Sequence, residues 1–470
     1  MKRRKFGLLA GSGLAAASVA ASAKQAFAQS TDAKTFKRGD PSLLTTTLTP
    51  FGSERAGNAD GSIPPWTGGY VTAPLPPDQP ADVTFMPDEQ PLFTVDASNL
   101  AQYADMLPEG NQLLISKFGN SIKVYKTYRT HAVPQYVAEN IAKNVTRAQF
   151  APAGGRFGFT GAYGGIPFPI IDTSDPYAAG AQLIWNYLCA WPGYADRSTF
   201  TPGIVHVNGR VVISGGFNEH FAYPYYDPNG SPETYGGYFQ YNHAVFLLPA
   251  SAHGQEALVW HSSNYLQHPD ITWTVVAGQG RVRKAPDEAY DTPDPSSNGL
   301  NNYDDSEGFQ GDPHKYDWKL IGKKEMLVNY NNNAIHYATI DQMGAGPAPS
   351  PDVIRYEKHR VWVVEATLHP GERNTTARRV LYLDEDTSLI LWADTYDAEN
   401  NLTKFFASYV RVVPSLPGTV EAGFSGWVAD SGDYSFTGTF QYPPYQAAEY
   451  FGPQNMELFN PEQMAASASF

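Results

Sequence analysis

The 470-residue chain carries 47 acidic against 33 basic side chains, a net charge of −14, which excludes nucleic acid and anionic lipid headgroups as partners. Its one cysteine, Cys189, rules out an intrachain disulfide and a cysteine-held iron–sulfur cluster, and reads as a small buried hydrophobe in a helix. Aromatic residues at 13 % of the chain, with 42 glycines and 37 prolines, favour β structure around a large core.

Residues 1–28 read as an export signal. Basic Lys2, Arg3, Arg4 and Lys5 precede a Gly/Ala-rich apolar run that ends in Ala26-Phe27-Ala28, a small-x-small cleavage site. The Arg3-Arg4 pair and Lys24 beside the cut fit the twin-arginine route, with the general secretory route as the alternative. Cleavage after Ala28 removes basic but no acidic side chains, which leaves a net charge of about −19 on a periplasmic protein. No later run of about 18 apolar residues is present to span a membrane as a helix.

Residues 29–95 form an extended Pro/Gly-rich arm with no helical or strand period. Within it, "LTPFGSERAGNADGSIPPWTGG" (48–69) brings together Glu54, Arg55, Asn58 and Asp60, types that satisfy turn backbone groups and one another. Trp66, between Pro65 and Gly68-Gly69, is a rigid ring suited to an apolar recess. Two readings stand side by side: an arm stapled to the main domain, or a plug over a ligand cavity.

The remaining chain, 96–470, reads as one domain with helical segments between 97 and 190. Helices are predicted over Asn99–Met106, over Pro134–Arg147 with Val137, Ile141 and Val145 at a four-residue step, and from the Asp175-Pro176 cap to Ala190. From residue 204 the period becomes two. "IVHVNGRVVI" predicts a hairpin with Asn208-Gly209 as a type I′ turn. Strands follow over Tyr238–Leu248, Glu256–Asn264, Ile271–Ala277, Trp318–Asn329, Arg355–Leu368, Arg379–Asp384, Leu389–Tyr396 and Leu402–Val412. Short polar turns between the last of these make an antiparallel meander, and about ten such strands are expected to curl. Several carry large apolar groups on both faces, such as Phe405 and Phe406, so both faces need cover.

Catalytic signatures are absent: there is no G-x-S-x-G, no H-E-x-x-H, no P-loop and no dinucleotide fingerprint. His261 and His268 lack metal-ligand spacing. The acidic stretch "YDTPDPSSNGLNNYDDSEGFQGDPHKYDW" (290–318) offers Asp304, Asp305, Glu307 and Asp312 as oxygen ligands for calcium, against a plain solvated loop anchored by His314, Tyr316 and Trp318.

Blocks along the chain carry a resemblance: the 48–69 stretch, "GGIPFPI" (164–170) with "LIWNYL" (183–188), "YDTPDPSSNGL" with "DDSEGF", "YDWKLIGKKEM" (316–326), "RYEKHRVWVVEATLHPGERN" (355–374) and "RVLYLDEDT" (379–387). Over roughly residues 45–460 the chain resembles the bacterial domain-of-unknown-function family 1329, labelled outer membrane lipoprotein-sorting protein. The resemblance implies a mainly β, α+β fold like that of periplasmic lipoprotein carriers: a curved, open antiparallel half-barrel with helices as a lid over an apolar cavity. It also implies work beside a resistance–nodulation–division type exporter and an outer-membrane protein. It brings no catalytic residues and no cofactor. One departure is visible: Asn186 is followed by Tyr187 and "LCAWPGY", where the family continues with His and basic residues.

The function expected is therefore a non-enzymatic periplasmic carrier or chaperone for a hydrophobic ligand: a lipid, sterol-like or acyl species. Candidate cavity liners are Phe239, Trp260, Trp362, Val364, Trp392 and Phe406. A periplasmic hydrolase or oxidoreductase acting on a hydrophobic substrate is the alternative, and a factor bridging exporter and outer membrane is a third.

Overall fold

In the computed structural model, alternation along the C-terminal strands sorts their side chains onto the two faces of an eleven-stranded sheet, each face with its own core. The described residues are 39–71, 85–276, 281–285, 290–344, 346–438, 446–451 and 456–467; the expected signal and residues 29–38 and 72–84 of the arm lie outside them.

Across the large sheet the order is Phe93–Val95, Ile122–Val124, Tyr356–Leu368, Arg378–Asp384, Ile390–Tyr396, Leu402–Val413, Gly418–Val428, Tyr434–Thr437, Gly203–Val205 and Val211–Ile213. Tyr316–Asn329 lies antiparallel against Tyr356–Leu368, from Tyr316 opposite Leu368 to Asn329 opposite Tyr356. A seven-stranded sheet runs Val282–Lys284, Ile271–Val275, Glu256–Ser262, Tyr238–Leu248, Gly216–Ala222, Ala195–Phe200 and Gln446–Phe451. A small ribbon pairs Gln149–Phe150 with Phe159–Thr160.

This architecture corrects the expected curved half-barrel. The strands do not form one rolled meander; they divide between two open sheets, in a mixed α+β fold. The reason lies in how the large sheet is covered. Val364, Ala366, Leu381, Leu383 and Phe406 face one core, which the helices and the arm close. Val361, Val363, Val380, Tyr382 and Phe405 face the other. That second face is covered by Leu114 and Ile115 of the Glu109–Ser116 helix and by Tyr330, Ile335, Met343 and Ile354. With both faces buried by other segments, rolling up offers no further burial.

The chain steps between the two sheets at a corner. Ala195–Phe200 belongs to the small sheet, and Gly203–Val205, two residues later, to the large one. Val211–Ile213 and Gly216–Ala222 make the reverse crossing, and the chain crosses again after Thr437. The hairpin at this corner is present, with Gly203 opposite Ile213. Its turn is not type I′: Gly209 has φ +83° while Asn208 does not enter the positive-φ region, and Gly209 N–H donates to His206 O at 2.7 Å. That is a three-residue loop ending in a glycine bulge.

Asp175 caps the Pro176–Leu188 helix as its sequence indicates, accepting from Tyr177 N–H at 2.9 Å. Gly180 lets this helix rest on the Tyr316–Asn329 strand, since a Cβ there would stand 2.6 Å from the Trp318 carbonyl carbon. Helix Gln135–Arg147 also packs into the first core through Val137, Ile141 and Val145. The segment expected as a helix over Asn99–Met106 is two short 3-10 turns instead.

Candidate functional site

Where strands pass from one sheet to the other the walls part, leaving a cavity of about 240 Å³. Alternation places Asp196, Ser198 and Phe200 on it from one strand, and Glu219 and Phe221 from its neighbour, with Ser198 opposite Glu219 and Asp196 opposite Phe221. On the large sheet, a register shift opposite Tyr409 and Val410 skips Ala422, and both Glu421 and Ala422 reach the cavity. The end of the Pro176–Leu188 helix adds Tyr187, Leu188 and Trp191. Glu307, in a left-handed backbone conformation at φ +54°, enters from the acidic loop.

The lining is apolar at Leu188, Trp191, Phe221, Phe309, Val420 and Phe424. Interleaved with these are ionisable groups: Asp196, Glu219, Glu307, Glu421, His336 and Arg411. The surface these carboxyls retain faces the cavity, while protein surrounds them on the other sides. Burial pushes Asp196 up to about 7, against the opposing pull of the Tyr223 hydroxyl, 3.3 Å away, and of Arg411. Burial pushes Glu219 up to about 8, with the Asn242 hydrogen bond opposing. Glu307 and Glu421 hydrogen-bond to each other, and burial raises both, so the pair holds a shared proton. The Arg411 guanidinium, fully buried, donates to the Tyr450 hydroxyl at 3.1 Å. His336 is held well below its ordinary value by burial and then by Arg411, and bonds to the backbone of Ala422 and Gly438. Neutral carboxyls donate as well as accept, so these groups can grip a polar part of a guest whose body lies against the apolar lining.

The six liners expected from the sequence lie elsewhere, and none is among the cavity's lining residues. Phe239, Val364 and Phe406 are buried in the first core, with Trp362 packed at its edge. Trp392 is in the second core, stacked 6.0 Å from Trp427 and donating to Asp394 at 2.9 Å. Trp260 covers the opposite face of the small sheet, 4.9 Å from Trp273, and donates to Phe459 O.

The arm is pinned to the large sheet. Trp66 donates to His131 O at 2.9 Å and meets Phe51 edge-on at 5.5 Å, with Arg55 at 5.1 Å from its ring. Arg55 also donates to Leu48 O. Asn58 binds Ile63 N–H and Glu325, and Asp60 binds Ser62 and Lys358. Lys323 bridges Glu54 and Glu385, and Arg129 holds Asp386. None of the arm's described residues lines the cavity.

The acidic loop divides its carboxylates among different partners. Arg379, fully buried, pairs with Asp304 at 2.7 Å and Asp305 at 3.0 Å, and Lys404 takes the other Asp305 oxygen at 2.9 Å. Against burial, Arg379 and Lys404 hold Asp305 below its ordinary value. Asp312 caps its own turn and pairs with His314, while Glu307 lies in the cavity. Among the described residues no group of three or more His, Cys, Asp or Glu is arranged to hold a metal ion. Tyr316 and Trp318 are buried and anchor the loop, Trp318 donating to Pro313 O at 2.8 Å. His261 pairs with Asp270 at 2.9 Å.

Asp196, Glu219, Glu421 and Arg411 were invisible to a reading by hydrophobic alternation, because inward polar residues look like a solvent face. The signal available was the Tyr187–Trp191 departure, which does border the cavity.

A curated relative, an uncharacterized protein of Pseudomonas aeruginosa, is 36% identical over 373 residues, covering 76% of this chain and 78% of the relative. A crystal structure of a DUF1329 family protein from Desulfovibrio piger aligns with TM-score 0.43 and 18% identity, over 62% of this chain and 100% of that one. A putative outer membrane lipoprotein-sorting protein domain from Vibrio parahaemolyticus aligns with TM-score 0.41 and 12% identity, over 62% of this chain and 99% of that one. The profile of the family described as "Protein of unknown function (DUF1329)" matches residues 94–465, and the chain belongs to that family.

Proposed function

We propose that the protein is a periplasmic carrier or chaperone that shelters one hydrophobic guest at the corner between its two sheets. The observation that carries this is the cavity of about 240 Å³, with aromatic and aliphatic groups in its lining. A cavity of about 150 Å³ accepts benzene, so this one admits a guest larger than a single aromatic ring. Each buried methylene of that guest contributes about 0.8 kcal/mol, which gives firm binding without covalent chemistry. The leader-like residues 1–28 support export, and the Arg3-Arg4 pair supports the twin-arginine route. An exporter and an outer-membrane protein are the partners the family resemblance suggests for delivery.

Native mass spectrometry of the mature protein, taken from the periplasm without detergent, is expected to show a co-purified apolar guest. Ala422→Trp puts an indole into the cavity and is expected to abolish both the guest and the uptake of an environment-sensitive apolar dye, with the far-ultraviolet dichroism unchanged. A wild-type protein that carries no guest and takes up no dye overturns the proposal. For the export route, Arg3→Lys with Arg4→Lys is expected to stop periplasmic accumulation; normal accumulation assigns the general secretory route.

A further inference from the structure

We propose that the polar end of the guest is an organic cation, an amine or ammonium group on an apolar body, received by the carboxyls of Asp196, Glu219, Glu307 and Glu421. This rests on the carrier reading and specifies its ligand class. The cavity wall brings together four carboxyls but only two groups able to carry positive charge, Arg411 and His336. Both are already engaged by protein: Arg411 by Tyr450, and His336 by the backbone of Ala422 and Gly438. Glu307 and Glu421 are left to hydrogen-bond to each other, two acids in contact across the space a ligand would enter. A cation entering beside the pair takes the place of the proton between them and leaves two carboxylates to hold it.

The aromatic lining points the same way. Trp191, Phe221, Tyr223 and Phe309 surround the same space, and their ring faces attract an ammonium group that has left water. An anionic head would meet an excess of carboxyls instead. A bare metal ion is not the fit, since the carboxyls are not gathered into a set of three or more able to hold one. They are spaced around a room, as suits a head of several atoms.

Three twelve-carbon probes that differ only at the head test this: dodecylammonium, dodecanol and laurate. Each is titrated calorimetrically below its aggregation concentration into the guest-free mature protein. Dodecylammonium is expected to bind at least tenfold more tightly than dodecanol, with laurate weakest. Glu307→Gln with Glu421→Gln is expected to bring dodecylammonium to within about threefold of dodecanol while leaving dodecanol unchanged. Glu219→Gln, on the small sheet and outside the carboxyl pair, is expected to weaken dodecylammonium alone and serves if the double variant does not fold. Dodecanol binding as tightly as dodecylammonium overturns the cationic head and leaves the carrier reading standing. Tightest binding of laurate overturns it too, and transfers the head to Arg411. If no probe binds, both readings fall.

Discussion

At the scale of single residues, the ion pairs decide which polar groups are structural. Arg379 neutralises Asp304 and Asp305 in a fully buried setting. Replacing it by Met strands two acids, although Lys404 still reaches one of them. Arg379→Met is therefore expected to lower unfolding free energy by about 3–5 kcal/mol in urea titration, with no rescue by calcium. A stability gain on adding calcium to the wild-type protein would reinstate the loop as a cation site. Trp66 works differently, through a half-buried ring and one hydrogen bond. Trp66→Ala is expected to cost about 3 kcal/mol of local docking. Limited proteolysis should cut within residues 48–69 first while the sheets persist; cleavage kinetics equal to wild type would mean that the ion pairs alone hold the arm. The Asp60 turn could be read because turn chemistry is local, as in the Asp60–Ser62 bond of 2.9 Å. Arg379 was not, because its partners lie some seventy residues away and no local pattern joins them.

Elements show the same division. The Pro176–Leu188 helix could be read from its Asp175 cap, a neighbouring residue. The Glu109–Ser116 helix could not, because Pro108 at its start gives no side-chain cap and the first N–H groups of Glu109 and Gly110 donate to Asp394. A cap supplied from a distant strand leaves no local trace. Gly180 provides the test at this scale. In a free helix Gly→Ala stabilises by about 1 kcal/mol. Here the added methyl would meet Trp318 backbone at 2.6 Å. Gly180→Ala is expected to destabilise by about 1–3 kcal/mol and to alter the near-ultraviolet tryptophan dichroism. A raised melting temperature would show that helix and strand separate at no cost.

For the molecule as a whole, the carboxyls of the cavity make stability depend on pH. Asp196 and Glu219 hold their protons up to about 7 and about 8 in the fold, against ordinary values of 3.8 and 4.5. Between those limits the folded state binds protons that the unfolded chain has released, so protonation favours folding. Their contribution is complete below about pH 4 and is lost as pH rises through about 7 to 8. Asp386 acts in the opposite sense: Arg129 outweighs its burial and holds it below 3.8, so its contribution is lost on acidification below that value. Melting temperature is therefore expected to peak near pH 5 and to fall by a few degrees towards pH 8.5. Asp196→Asn with Glu219→Gln should flatten the alkaline limb. An unchanged slope in that variant would place the titrating groups elsewhere.

The sequence by itself determined the strands of the meander, the capped helix, the anchoring of the acidic loop by Tyr316 and Trp318, and the family. Each depends on neighbours within a few residues or on blocks read in order. Only the tertiary structure decided how the strands divide between two sheets, because pairing joins distant segments such as Tyr434 and Val205. The step from Phe200 to Gly203 changes sheets within two residues and carries no mark beyond Pro202. The cavity is a consequence of that step: Asp196 and Ser198, which alternate like a solvent face along Ala195–Phe200, become inward-facing once a second sheet stands opposite.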